Sequence, residues 1–173
     1  MKKHTKKLTT CAVFAALICI ITAFVAVPAP AIGNINLGDV FILCSSWLLG
    51  PLGAVSSGLG ACLADIFSGY AIYAPATLVI KAAMALGCHY TSILIYKTTK
   101  KQWLSYIISA FTAEGIMSLG YFAYECIIYS PVAAVASLPF NLLQGSICLV
   151  VGVVAIMILF KSSAIKAFKH QIL

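Results

Sequence analysis

Apolar residues fill the chain in long runs, and polar punctuation cuts these runs into six. The runs predict helices over about residues 8–27, 39–49, 51–68, 75–96, 103–128 and 138–160. At 1.5 Å per residue, runs near 20 residues reach across a bilayer core. The expected fold is therefore all-α, a polytopic membrane protein in which residues 1–173 form one transmembrane domain. The 39–49 run is short for a full span, so tilting or an earlier start within 34–37 is expected.

The breaks alternate in kind. Pro28 and Pro30 end the first helix, since a proline disfavours helical geometry in the residue before it. Gly50-Pro51 separates the second and third helices with a tight turn. Tyr70 and Tyr73 punctuate the third and fourth, and residues 129–137 read as a further loop. Most lysines sit in three clusters: Lys2/Lys3/Lys6/Lys7, Lys97/Lys100/Lys101 and Lys161/Lys166/Lys169. The positive-inside rule puts such clusters on the cytoplasmic side. Six helices with both termini inside place all three there, whereas removing helix 1 or merging helices 2 and 3 breaks the agreement. The basic start and the small residues after Val27 invite a signal-peptide reading, but the 8–27 run exceeds the usual h-region. Ala12, Ala15, Ala16, Cys19, Ala23 and Ala26 also form a small-residue stripe suited to helix packing.

Composition narrows the class further. Of 173 residues, 62% are hydrophobic and 9% charged, against about 25% charged in globular domains. The formal charge of +7 comes from lysines placed as membrane flanks, so nucleic acid is not an expected partner. The seven cysteines are scattered without CxxC or Cys/His spacing, so neither a metal nor a disulfide framework is implied.

Polar residues inside the runs gather toward the ends opposite the lysines. Asp65 ends a row with Gly53, Ser57 and Ala61, and is either a helix-end carboxylate in an interface or a ligand contact. Lys81, about 9 Å below the outer surface, either snorkels outward or pairs with an acid. Glu114, Ser118, Tyr121 and Glu125 share one stripe. A single buried glutamate there would serve as a structural partner of Lys81, whereas two with a tyrosine between them suggest a cavity wall. Asn141 and Gln144 lie at matching depth and serve either interhelical hydrogen bonding or the same cavity. Asp39 suits the N-terminus of helix 2 through the macrodipole.

Because the inner halves are nearly all aliphatic, a one-sided outward pocket fits better than a through-pore. Amides, carboxylates and tyrosines suit a small aromatic ring bearing hydroxyls or ring nitrogens. Catalysis has thin support: His4 and His170 are in the tails, His89 is alone, and no nucleophile or metal accompanies the glutamates. A membrane enzyme using Glu114 and Glu125 as acid and base stays as an alternative, as does a scaffolding protein in which Lys81–Glu114 is an interhelical ion pair.

Five segments carry a family resemblance. They are NINLGD at 34–39, LLGPLGA at 48–54, GLGACLADIFSGYAIYAP at 58–75 followed by Lys81, the stretch from Glu114 through Gly120-Tyr121-Phe122 to Tyr124-Glu125, and the one holding Pro139, Asn141 and Gln144-Gly145. This order resembles the substrate-binding S components of energy-coupling factor (ECF) vitamin transporters, in the riboflavin, hydroxymethylpyrimidine and pyridoxine branch. The resemblance implies a prokaryotic plasma-membrane protein that captures a vitamin and works with a transmembrane T subunit and two ABC ATPase subunits. It assigns the Ala12-x-x-x-Ala16 motif to docking on that module. The chain lacks a Walker A pattern, so ATP hydrolysis lies elsewhere. The resemblance implies substrate contacts by Asn36, Tyr73, Lys81, Glu114, Ser118, Tyr121, Glu125, Asn141 and Gln144, with no cofactor. A pyridoxine-like or hydroxymethylpyrimidine-like ligand leads, with riboflavin as the alternative.

Overall fold

The computed structural model describes residues 2–28 and 34–161. Its elements are α1 (Lys2–Phe24), β1 (Ala26–Pro28), β2 (Asn34–Asn36), α2 (Gly38–Leu49), α3 (Leu52–Phe67), α4 (Ala74–Thr99), α5 (Gln102–Ile128) and α6 (Pro131–Lys161). The expected helices are all present among the described residues, but several boundaries and one connection differ.

The first difference is that α1 stops at Phe24, short of the expected 27, because the chain turns into a strand. Ala26, Val27 and Pro28 pair antiparallel with Asn36, Ile35 and Asn34. A two-stranded ribbon thus replaces part of the expected loop and makes the fold helical but not purely α. The tie is long-range. The Asn36 amide donates to Gln144 Oε1 at 2.9 Å, and Cys148 Sγ donates to the Asn36 carbonyl at 3.5 Å. At its other end, α1 already includes lysines of the leader, so it begins before residue 8.

The second concerns α6, which begins at Pro131 rather than 138. Proline is well suited to a first helical position. Ser130 caps the turn, since its Oγ accepts from the Ala133 amide at 3.2 Å. Pro139 lies inside the helix. An interior proline frees one carbonyl, a defect that neighbouring helices can make good in a membrane bundle.

The third is the place of α2. Apart from Phe41 all its residues are buried, and it packs against α1, α3, α4 and α6. A helix that is apolar all round belongs in a core. Its burial makes it a central strut enclosed by longer helices.

The glycines of α3 allow the rest of the bundle to close. A Cβ on Gly60 would lie 2.5 Å from the Ala15 carbonyl oxygen of α1, and one on Gly58 would lie 2.8 Å from the Leu78 carbonyl oxygen of α4. Both are backbone contacts that cannot give way, so α3 brings α1 and α4 to within touching distance of its own backbone. The half of the bundle away from the ribbon is filled by Ile18, Met84, Cys88, Met117 and Ile156, with Trp47 beside Tyr106 at 5.0 Å and Tyr106 stacked on Phe160.

The outside of the bundle is apolar. Val13, Leu17, Ile20, Val55, Leu59, Val79, Leu94, Phe111, Leu119, Val150 and Ile158 are all exposed. Such coverage far exceeds the apolar patches of a soluble monomer and matches a lipid-facing surface. Among the described residues three helical stretches, Thr5–Phe24, Ala74–Thr99 and Pro131–Lys161, are long and apolar enough to cross a membrane.

Candidate ligand-binding site

A chamber of about 60 Å³ opens beneath the ribbon, between α3, α4, α5 and α6. Its floor is an ion pair. Asp39, at the start of α2, is 1% exposed, and its Oδ1 lies 2.5 Å from Lys81 Nζ. A buried charge is tolerated only with a partner and further hydrogen bonds. Gln144 supplies the next one, its Nε2 donating to Asp39 Oδ2 at 2.6 Å. Through Oε1 the same amide accepts from Asn36, and Asn36 Oδ1 accepts in turn from the Gly38 amide at 2.9 Å. One chain of contacts thus joins α4, α2, α6 and β2. Lys81 Nζ also sits 5.3 Å from the centre of the Tyr121 ring, within cation–π range.

The upper wall is aromatic. The Tyr73 ring is 6% exposed and lies 5.6–6.5 Å from the rings of Tyr70, Tyr121, Tyr124 and Tyr129. Tyr73 donates to Glu125 Oε1 at 3.3 Å, and Ser137 donates to Glu125 Oε2. Burial first, and then the nearby Glu125 charge, hold the Tyr73 phenol above its usual range. It therefore remains a donor at neutral pH. Thr77 and Tyr121 share a hydroxyl contact of 3.0 Å, Tyr70 donates to Asn34 Oδ1 at 3.0 Å, and Tyr124 donates to the Ile72 carbonyl.

Seven of the nine residues expected at the site line this chamber: Asn36, Tyr73, Lys81, Tyr121, Glu125, Asn141 and Gln144. Glu114 and Ser118 do not. They line a separate cleft of about 120 Å³ between α5 and α6, with Gly115, Gly145 and Ser146. The helical stripe placed them near Tyr121 and Glu125, but successive turns of a long helix can face different neighbours. The proposed Lys81–Glu114 pairing is likewise replaced by Lys81–Asp39.

Asp39 is the main residue missed, because the macrodipole already explained an acid at that helix terminus. The signal was nevertheless in the sequence, since a lysine two turns inside a span needs an acid and the chain has four. Thr22, Ser68 and Thr77 also line the chamber without having been singled out for it. Among the described residues no group of three or more His, Cys, Asp or Glu side chains is placed to hold a metal.

An apolar-surfaced helical bundle enclosing a polar chamber at one end belongs to the class of membrane-embedded solute-transport components. Comparison with known proteins makes the class specific. The model of the family "ECF-type riboflavin transporter, S component" matches residues 2–161, and the chain belongs to this family. A Lactococcus lactis protein named "Thiamine precursor transporter HmpT" is 31% identical over 145 residues, spanning 82% of this chain and 80% of its own length. A Pyrococcus woesei protein described as "Uncharacterized protein in gap 3'region" is 31% identical over 140 residues, spanning 78% of this chain and 88% of its own. A solved structure of the S component of a bacterial ECF transporter superposes with a TM-score of 0.65 at 22% identity, covering 91% of this chain and 97% of that one. At that identity the likeness is one of fold. The family consists of transport components, which sets aside a membrane enzyme built on Glu114 and Glu125.

Proposed function

We propose that this S component captures a compact heteroaromatic vitamin precursor, hydroxymethylpyrimidine-like or pyridoxine-like, through the chamber above Asp39 and Lys81. The observation that carries the reading is the chamber itself. It is small, at about 60 Å³, and lined by tyrosines, amides and carboxylates. Sites for drug-sized ligands usually enclose about 300–1,000 Å³, so one ring suits it better than three. The thiamine-precursor transporter among the relatives supports the same substrate class. Riboflavin is the second reading, favoured by the description of the family.

The proposal includes topology and partners. Six helices span the plasma membrane of a prokaryote with both termini in the cytoplasm, and the chamber faces outward. Tyr73, Thr77 and Lys81 lie at the start of α4, whereas Lys97, Lys100 and Lys101 lie at its far end, in line with the positive-inside rule. The ligand then passes to a T subunit and two ABC ATPases. Ala12 and Ala16 are exposed on α1 while Cys11 and Ile18 are buried, which leaves the small-residue face free for docking.

Thermal unfolding of the purified protein with a vitamin panel tests the substrate. Stabilisation by mass action is expected for single-ring compounds, and no response to any member of the panel contradicts the proposal. For docking, Ala12→Trp is expected to abolish uptake in cells supplied with an ECF module while ligand affinity is kept. Equal loss of both would make α1 a purely structural helix.

A further inference from the structure

Most polar groups around the chamber are already engaged with one another. The Lys81 ammonium is held by Asp39, both ends of the Gln144 amide are used, and both Glu125 oxygens accept hydroxyl hydrogen bonds. Breaking any of these to bind a ligand would exchange one hydrogen bond for another with little gain. Recognition therefore falls to what is left over.

Among the described residues, four buried side-chain oxygen or nitrogen atoms have no hydrogen-bond partner. Two are the Glu114 oxygens in the α5–α6 cleft. The other two, Asp65 Oδ2 on α3 and Asn141 Nδ2 on α6, belong to residues lining the chamber. One is an acceptor and the other a donor. Buried polar atoms rarely stay unpaired, and an orphan acceptor with an orphan donor in one cavity describes the complement of a ligand. The helices carrying them share no extended packing. The balance of groups agrees: among the described residues lining the chamber the one lysine is paired with Asp39, while Asp65 and Glu125 are two further carboxyl groups.

We infer that the ligand is a neutral or singly cationic heteroaromatic ring that donates a hydrogen bond to Asp65 Oδ2 and accepts one from Asn141 Nδ2, bracing α3 to α6. An aminopyrimidine carries both groups, an exocyclic amine as donor and a ring nitrogen as acceptor. A phosphate ester is excluded, because it would bring negative charge to a site whose one lysine among the described residues is already paired. The inference rests on the chamber being the ligand site and assigns the group that Asp65 reads.

Equilibrium binding to the purified full chain in detergent provides the test, with three probes: a hydroxymethyl aminopyrimidine, its desamino analogue and its phosphate ester. The unaltered protein is expected to bind the amine roughly ten- to hundredfold more tightly than the desamino analogue, as for a buried hydrogen-bonding group left unpaired. Asp65→Leu should lose that preference and bind both equally, whereas Asp65→Asn, which keeps an acceptor oxygen, should retain part of it. Asn141→Leu should weaken both probes alike, since both keep the ring nitrogen, and the ester should not bind. A preference for the amine that survives Asp65→Leu overturns the inference, as does the absence of any preference in the unaltered protein. Unliganded melting of each variant separates misfolding from lost recognition, and a misfolded Asp65→Leu leaves the comparison of probes on the unaltered protein to decide. If no probe binds the unaltered protein, the reading of the chamber as a ligand site falls, and the inference with it.

Discussion

Two buried acids, Asp39 on α2 and Glu114 on α5, have opposite surroundings. Asp39 is 1% exposed and shares its two oxygens between Lys81 and Gln144. Glu114 is 6% exposed and leaves both oxygens unpaired, seated against Gly145, where an added Cβ would come within 3.2 Å of its Oε2. The contrast shows that depth in the bundle does not decide what an acid does. Asp39 is part of a network that holds four elements together, whereas Glu114 has been given space but no partner.

The largest effect should come from breaking the saturated acid. Asp39→Leu leaves the Lys81 ammonium buried and uncompensated, and removing one partner of such a pair destabilises by about 3–5 kcal/mol. Thermal unfolding in detergent should show this, and adding Lys81→Met to the same chain should recover much of the loss. If the double variant is no better than Asp39→Leu alone, the pair is not the reason for the loss.

Glu114 should respond in the other direction. Unpaired buried polar groups cost about 1–3 kcal/mol, so Glu114→Met is expected to raise the unfolding temperature. A drop would mean that the carboxyl has a partner in the membrane-embedded protein and would erase the contrast with Asp39. Gln144→Leu tests how far the Asp39 network extends. It strips a donor from Asp39 and an acceptor from Asn36, and should destabilise by about 1–3 kcal/mol. Greater protease sensitivity of the ribbon would accompany that loss.

The smallest effect is the most discriminating for function. Glu114 lines the α5–α6 cleft and not the chamber. Glu114→Gln should therefore leave the ligand Kd within about threefold, as for a site without shared partners. A loss of tenfold or more would bring Glu114 back to the ligand.

The helix order was legible because each run is long, and lysine clusters mark where runs end. What escaped was set by partners far away in sequence. Ser130-Pro131 is a local helix start, yet residues 129–137 read as a loop before a helix from 138. The ribbon depends on Asn36 meeting Gln144, 108 positions away, and nothing local announces that pairing. The same holds at the site. Tyr121 and Glu125, four residues apart, line one chamber, but periodicity carried the stripe on to Glu114, which lies in the α5–α6 cleft. Lys81 demanded an acid, and only tertiary packing could choose among the four.

The most direct measurement is an equilibrium titration of the purified protein with a hydroxymethyl aminopyrimidine and, separately, with riboflavin. The expected result is saturable binding of the single-ring compound at one site per chain, weakened in Asn141→Leu and unchanged in Glu114→Gln. Tight binding of riboflavin with none of the single-ring compound, or binding indifferent to Asn141, would contradict the placement of a compact ligand in the chamber above Asp39 and Lys81.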